Sequence, residues 1–427
     1  MISREKIRKI KALVPDQRAM CQARDRWDKV AMPLDGLGTL QEDLIHMAGI
    51  LGNADHLLEA PRLLVMCADN GIVAEGVSQT GQEVTALVAD SIACGESPSA
   101  IFAARCDCQL RVVDVGMACD ARDPSVICAK VARGSRNFAQ SWSSGRTEEE
   151  RGLFAQNIAE ISRGAMTEKE ISPSGFCSDG SIEIHRGAMT EEEISPSGFC
   201  SDGSIEIHRG AMTEEEALAA ISVGIEESAR AKEDGVGLLL TGEMGIGNTT
   251  TSAACLSALL DLPAEAVAGR GAGLSDRRLA KKREVIDRAR EIFYSSCRRE
   301  NPDPLAILCQ VGGFDIAALV GLILGANQTR TPVLLDGLIS SVAALIADRL
   351  CPGAREVCLA SHLGREPGMS HAMRVLKLNP IIHADLALGE GTGALLALQL
   401  LQTAALVYTS TKTFEKLGMD AYQRESL

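Results

Sequence analysis

The chain has 427 residues, 46% of them hydrophobic, and a formal net charge of −14. That is enough for one large or two unequal cores, and without a Lys/Arg-rich run it excludes a nucleic-acid-binding surface. The charged N-terminus Met1-Ile2-Ser3-Arg4-Glu5-Lys6 has no apolar segment behind it, no run of about 18 apolar residues occurs, and the fourteen cysteines are scattered without a C-x-x-C pair. A cytoplasmic protein is therefore expected, with reduced thiols, no membrane span, no disulfide framework and no metal site; Cys106-Asp107-Cys108 is the only close cysteine pair.

In chain order, the pattern predicts a helix over 2–14, then apolar strands over 62–68 and 109–115. Further strands are predicted over 236–240, 306–311, 332–335 and 357–360. Helical spacing marks 217–230, 316–325, 340–350 and 394–405. Each strand run is closed by Gly, Asp or Ser within two residues. Strands alternating with helices imply an α/β protein with a parallel sheet covered on both faces. Ligands of such sheets lie beyond the carboxyl ends of the strands. One rim should therefore gather Asp69-Asn70-Gly71, Asp114, Gly242-Glu243, Gly312-Gly313, Asp336-Gly337 and Ser361-His362. The two chain ends lack strands and are expected to form a small helical domain, 1–50 with 395–427, beside a catalytic domain over 51–394.

Within that larger unit, 163–185 recurs almost unchanged as 186–208, and Arg209-Gly210-Ala211-Met212-Thr213-Glu214 starts a third copy. Only the third copy continues as a helix, because Thr213 and Glu216 form a capping box, whereas the earlier copies run into Pro and Gly. The repeats are rich in Ser, Gly and acids and have no apolar stripe. Residues 163–208 are therefore expected to be a looped-out insertion rather than a solenoid.

Two glycine-rich segments carry chemistry. Gly242-Glu243-Met244-Gly245-Ile246-Gly247-Asn248-Thr249-Thr250 follows a strand and opens a helix, so free amides at a helix N-terminus can cradle an anion. A nucleotide-triphosphate loop is the rival reading, but Asn248 stands where that loop needs lysine, and Glu243 would repel the phosphates. Leu388-Gly389-Glu390-Gly391-Thr392-Gly393 repeats the device before an apolar helix. On residues alone Glu390 is either a base or a helix cap, since acids favour first turns by about 0.3–1 kcal/mol. Lys282, on the helix after Gly269-Arg270-Gly271-Ala272-Gly273, is either a phosphate partner or part of a solvated basic face.

These motifs, with Asp69-Asn70-Gly71, Gly312-Gly313-Phe314-Asp315, Asp336-Gly337-Leu338-Ile339-Ser340-Ser341 and Glu366-Pro367-Gly368 in this order, resemble the nicotinate-nucleotide:dimethylbenzimidazole phosphoribosyltransferases of cobalamin lower-ligand biosynthesis. The resemblance covers nearly the whole chain outside 163–208. It implies a Rossmann-like six-stranded parallel sheet and transfer of 5-phosphoribosyl from nicotinate mononucleotide to an aromatic acceptor. It also implies inversion at the anomeric centre, no cofactor, and a homodimer, with a heterodimer with a paralogue as the alternative. By the same resemblance Glu390 is the catalytic base and Glu243 the second active-site carboxylate. Ser78, Gly245, Gly247, Asn248, Thr249, Lys282, Gly313, Asp336, Gly364, Gly389 and Gly391 are the substrate-binding set.

The sequence departs from the family pattern at its pockets. Asn70, Thr80-Gly81 and Ala86 stand where the acceptor side is otherwise His, Tyr-Pro and Gln, while Ala387 and Gly364 replace an Arg and a Ser on the phosphate side. An acceptor other than dimethylbenzimidazole, such as another benzimidazole or a phenol, is one expectation. A non-catalytic or regulatory subunit acting with a catalytic paralogue is the alternative from a different class.

Overall fold

A computed structural model describes residues 1–55, 57–139, 210–295, 297 and 299–424. The predicted insertion 163–208 lies outside the described residues. After helices α1 (Arg4–Arg8), α2 (Gln17–Lys29) and α3 (Thr39–Leu51) come strand β1 (Pro61–Ala68), helices α4 (Glu83–Ala93) and α5 (Pro98–Arg105), and strands β2 (Gln109–Gly116) and β3 (Ile127–Cys128). Helix α6 (Glu214–Glu233), strand β4 (Leu238–Met244) and helices α7 (Asn248–Leu260), α8 (Ala264–Val267), α9 (Asp276–Ser295), α10 (Pro304–Val311) and α11 (Phe314–Thr329) follow. The chain ends with β5 (Val333–Leu335), α12 (Leu338–Leu350), β6 (Cys358–Ala360), β7 (His362–Leu363), α13 (Gly368–Leu376), β8 (Ile382–His383) and α14 (Thr392–Ser410).

Six strands form one parallel sheet in the order β3-β2-β1-β4-β5-β6, and β7 pairs with β8 beside it. The order reverses between β1 and β4, which opens a crevice beyond their carboxyl ends. All eight residues of β1 are buried, as a strand covered on both faces requires. Alternate residues feed two cores. Leu64, Met66, Val113 and Leu239 join one that includes α6, α7, α11 and α12. Leu63, Val65, Val112 and Leu240 join the other, with α3, α5 and α14.

The predicted strand 306–311 is instead the helix α10. Asp303 caps it through a bond from the Leu305 amide, and Pro304 occupies the first turn, where its missing N–H costs nothing. The sixth strand is β3, two residues long. Strand β4 starts later than predicted and carries Gly242 and Glu243 within it, Glu243 opposite Met66. The predicted helix 2–14 shrinks to α1, because Asn327 takes over the backbone beyond it, accepting from the Leu13 amide and donating to the Lys11 carbonyl.

Near the chain ends, α2 and α14 meet through Trp27 and Tyr408, with ring centroids 4.9 Å apart. Their apolar faces run on into the core beneath the sheet. Among the described residues α14 alone is long and apolar enough to cross a membrane, and half of its apolar window is buried inside the protein.

The capping box of Thr213 and Glu216 starts α6 as predicted. That helix lies backbone to backbone on α11: a methyl at Gly224 would fall 1.9 Å from the Ala318 carbonyl oxygen, and one at Gly321 would fall 1.9 Å from that of Ile221. Glycine is required there by the close approach.

Candidate active site

Glu390 sits on the loop between β8 and α14, in three successive left-handed residues: Gly389 (φ +85°), Glu390 (+58°) and Gly391 (+82°). A glutamate in that region is held against its own preference. The clamp is Asp336, at the end of β5. Its buried carboxylate accepts from the amides of Gly391 (3.1 Å), Gly393 (2.9 Å) and Ala394 (3.1 Å), while its own amide donates to Thr241 Oγ1 at 2.9 Å. Predicted as a substrate-binding residue, Asp336 spends both carboxylate oxygens on the loop that aims Glu390. It also occupies the N-terminus of α14, so that helix end is closed to a phosphate.

The Glu390 carboxylate is half-buried and accepts from Ser99 Oγ at 3.2 Å; Ser99, on α5, lies 2.8 Å from Ser97 Oγ. Burial raises the Glu390 pKa, the Asp336 charge adds to this, and the Ser99 bond opposes it. The hydrogen bond to the Glu390 side chain comes from Ser99, and no side chain caps the amides of α14 from the N-cap position, which is Gly391.

Glu243 is buried at the end of β4, and a methyl at Gly389 would lie 2.8 Å from its Oε1, so only glycine lets the two carboxylate segments approach. Burial, with the Asp315 and Asp336 charges, pushes Glu243 up to about 8; the bond from Asn248 Nδ2 opposes the rise. Glu243 is thereby strongly biased towards its protonated form. Its environment separates it from Glu390, the arrangement by which paired carboxylates divide acid and base roles.

Asn248 also donates to Asp315 Oδ2 at 3.1 Å. Asp315 is a fully buried carboxylate that burial pushes to about 6, and the sequence reading did not assign it to the site. Asn70 joins this cluster rather than facing outward. Its Oδ1 accepts from Thr251 Oγ1 at 3.3 Å, and a methyl at Gly313 would fall 2.3 Å from the same oxygen. Gly245 is confined similarly, 2.2 Å from the Ala68 carbonyl oxygen on the same test. Gly313 reaches this cluster although it follows a helix, α10, and not a strand. Thr85 closes the group, donating to Asp69 at 2.5 Å and accepting from the Ile246 amide at 3.2 Å.

The N-terminus of α7 differs from that of α14. Gly247 (φ +95°) precedes it, and no side chain caps it. Thr249 Oγ1 accepts from Lys282 Nζ at 3.0 Å, and the same ammonium donates to the Gly269 carbonyl at 3.1 Å. Lys282 is fully buried, so the solvated-face reading is corrected; burial lowers its pKa to about 8. Ser78 is half-buried and accepts from the Thr80 amide at 3.3 Å, while neighbouring Gln79 donates to the Gly273 carbonyl. Gly364 donates to Met369 Sδ at 3.0 Å and follows β7. A cleft of about 600 Å³ runs along the Gly269–Gly273 segment to Arg365, Glu366 and Ala387, next to the loop bearing Glu390. Among the described residues no group of three or more His, Cys, Asp or Glu side chains is placed to hold a metal ion.

A Rossmann-type sheet with two unequal carboxylates at its switch point, beside an uncapped helix N-terminus and a glycine-walled cleft, defines a group-transfer enzyme for an anionic substrate. A family model described as "Phosphoribosyltransferase" matches residues 13–156 and 185–419. The chain belongs to this phosphoribosyltransferase family. It is 33% identical to the nicotinate-nucleotide–dimethylbenzimidazole phosphoribosyltransferase of Acetivibrio thermocellus over 93% of each chain. It is 34% identical to that of Ruminiclostridium cellulolyticum over 99% of each. The crystal structure of CobT from Thermus thermophilus superposes with a TM-score of 0.73 at 33% identity, covering 95% of this chain and all of that one. The family match resumes at 185, so it passes over less of the chain than the 163–208 expected from the repeat.

Proposed function

We propose that this protein transfers 5-phosphoribosyl from nicotinate mononucleotide to 5,6-dimethylbenzimidazole or a related aromatic acceptor, releasing nicotinate and forming an α-linked ribotide for cobalamin nucleotide-loop assembly. The observation that carries the reading is the Glu390 loop. A carboxylate is locked at positive φ on a loop whose amides bond Asp336, and the loop passes a second, buried carboxylate that burial biases towards its protonated form.

Glu390 takes the N–H proton of the acceptor as the acceptor nitrogen attacks C1′ of the ribose. The C1′–N bond to the pyridinium breaks, and its electron pair neutralises the departing nicotinate ring. Attack opposite the leaving group inverts C1′. Positive charge grows on the ribose in this step, and the carboxylates of Glu390 and the neighbouring cluster stabilise it electrostatically. No metal is required by this scheme, because the leaving group is already cationic. Ser78, Gly245, Gly247, Asn248, Thr249, Lys282, Gly313 and Gly364 shape the donor side, while Gly389 and Gly391 give the Glu390 loop its conformation. A cytoplasmic homodimer fits the free cysteines and the exposed apolar side chains of Leu87, Ile101 and Leu388, which a second copy would cover.

Incubating the purified protein with nicotinate mononucleotide and a panel of benzimidazoles and phenols tests this. The expected result is an acceptor-dependent release of nicotinate matched by an α-ribotide in the proton NMR spectrum. Nicotinate release only on mixing with a catalytic paralogue would assign the chain a regulatory role instead.

A further inference from the structure

We propose that Arg283 and Arg365 clamp the 5′-phosphate of the donor in the cleft beside Ala387, a deepening that rests on the phosphoribosyl-transfer reading. Arg283, half-buried, and Arg365, exposed, both line this cleft of about 600 Å³. Its other charged groups are already engaged. Glu366 accepts from the amides of Gly269 (2.9 Å) and Gly271 (2.8 Å), and Arg270 donates to the Leu274 carbonyl (2.7 Å) and pairs with Asp276. Lys282, fully buried behind the cleft lining, spends two of its three donors on Thr249 and Gly269.

Arg283 and Arg365, by contrast, form no side-chain hydrogen bond or ion pair among the described residues, and the Arg283 Nε is buried without an acceptor. A buried guanidinium N–H without an acceptor is costly, and a tetrahedral oxyanion satisfies it through paired N–H···O bonds. The place is right for a substrate group. The Arg365 amide donates to the Leu386 carbonyl at 3.1 Å, which ties this wall to the segment that leads to Glu390. Ala387 contributes only a methyl there, so the cleft takes its free positive charge from Arg283 and Arg365 rather than from the Glu390 loop.

The test compares nicotinate mononucleotide with nicotinate riboside, the same donor without phosphate, and measures inorganic phosphate binding by calorimetry. For R365Q and R283Q, the preference in kcat/KM for mononucleotide over riboside should collapse about 10- to 100-fold, the loss of one charged hydrogen-bonding partner. Phosphate binding should weaken in parallel. The double variant A387R/R365Q, which returns a guanidinium to the cleft from the segment bonded to Arg365, should recover part of the preference, and R283K should retain more of it than R283Q.

An unchanged donor preference and unchanged phosphate binding in both glutamine variants would overturn the clamp. So would equal losses with both donors, which mark a structural role. If the wild type turned over neither donor but bound phosphate in an Arg283- and Arg365-dependent manner, the transfer reading would fail while the clamp stood.

Discussion

Glu243→Gln should make the protein more stable at neutral pH, and by an amount that depends on pH. Burial and the neighbouring Asp315 and Asp336 charges raise Glu243 from 4.5 to about 8. Between those values the folded protein keeps a proton that the unfolded chain releases, so the stability from this group is fully present below about 4.5 and is lost as pH rises towards 8. The slope is about 1.4 kcal/mol per pH unit, or about 3 kcal/mol between pH 5 and pH 7. Glutamine carries no charge at any pH and keeps an oxygen for the Asn248 donor, so it escapes this loss. Urea unfolding of both proteins at pH 5, 6 and 7 should show the variant gaining on the wild type by about 3 kcal/mol across the series. A stability difference that stays constant over that range would refute a buried Glu243 that keeps its proton.

Asp336→Asn leaves one carbonyl oxygen where two carboxylate oxygens serve three amides, and should cost about 2 kcal/mol in urea unfolding. Because the Glu390 loop then relaxes from its left-handed conformation, kcat should fall more than about tenfold with little change in donor KM; equal activity would show that the loop holds itself. Ser99→Ala removes the bond that opposes the rise of the Glu390 pKa, so the acid limb of the kcat profile should move to higher pH, and a move to lower pH would reverse the assigned sign. Gly321→Ala drives a methyl into the Ile221 carbonyl and should lower stability by at least about 2 kcal/mol in thermal unfolding; an unchanged Tm would mean that α6 and α11 have slack between them.

The sheet is legible in the sequence where strands are long or closed by a turn signal: β1, β2, β5 and β6 fall close to their predicted runs. The segment 306–311 misleads because a short apolar run has the same look in a buried strand and a buried helix. The signal that separates them, Asp303 followed by Pro304, is present in the sequence as a helix start. Strand β3 escapes notice because two residues carry no periodicity.

In the site, the glycines around Glu243 and Glu390 are readable because left-handed turns and close approach demand them. Ser99 and Asp315 are not, since nothing local reports that α5 delivers Ser99 to Glu390 or that α11 buries Asp315 against Asn248. Asn70 is a further case: its position after Asp69 does not report that its Oδ1 accepts from Thr251 Oγ1 and lies beside Gly313.

The central claim is that Glu390 acts as the base, and Glu390→Gln tests it most directly because the substitution keeps shape and removes basicity. Single-turnover formation of the α-ribotide should fall by about 10²–10⁴-fold, with calorimetric affinity for nicotinate mononucleotide within a few-fold of wild type. Turnover within about tenfold of wild type, with binding intact, would contradict the account.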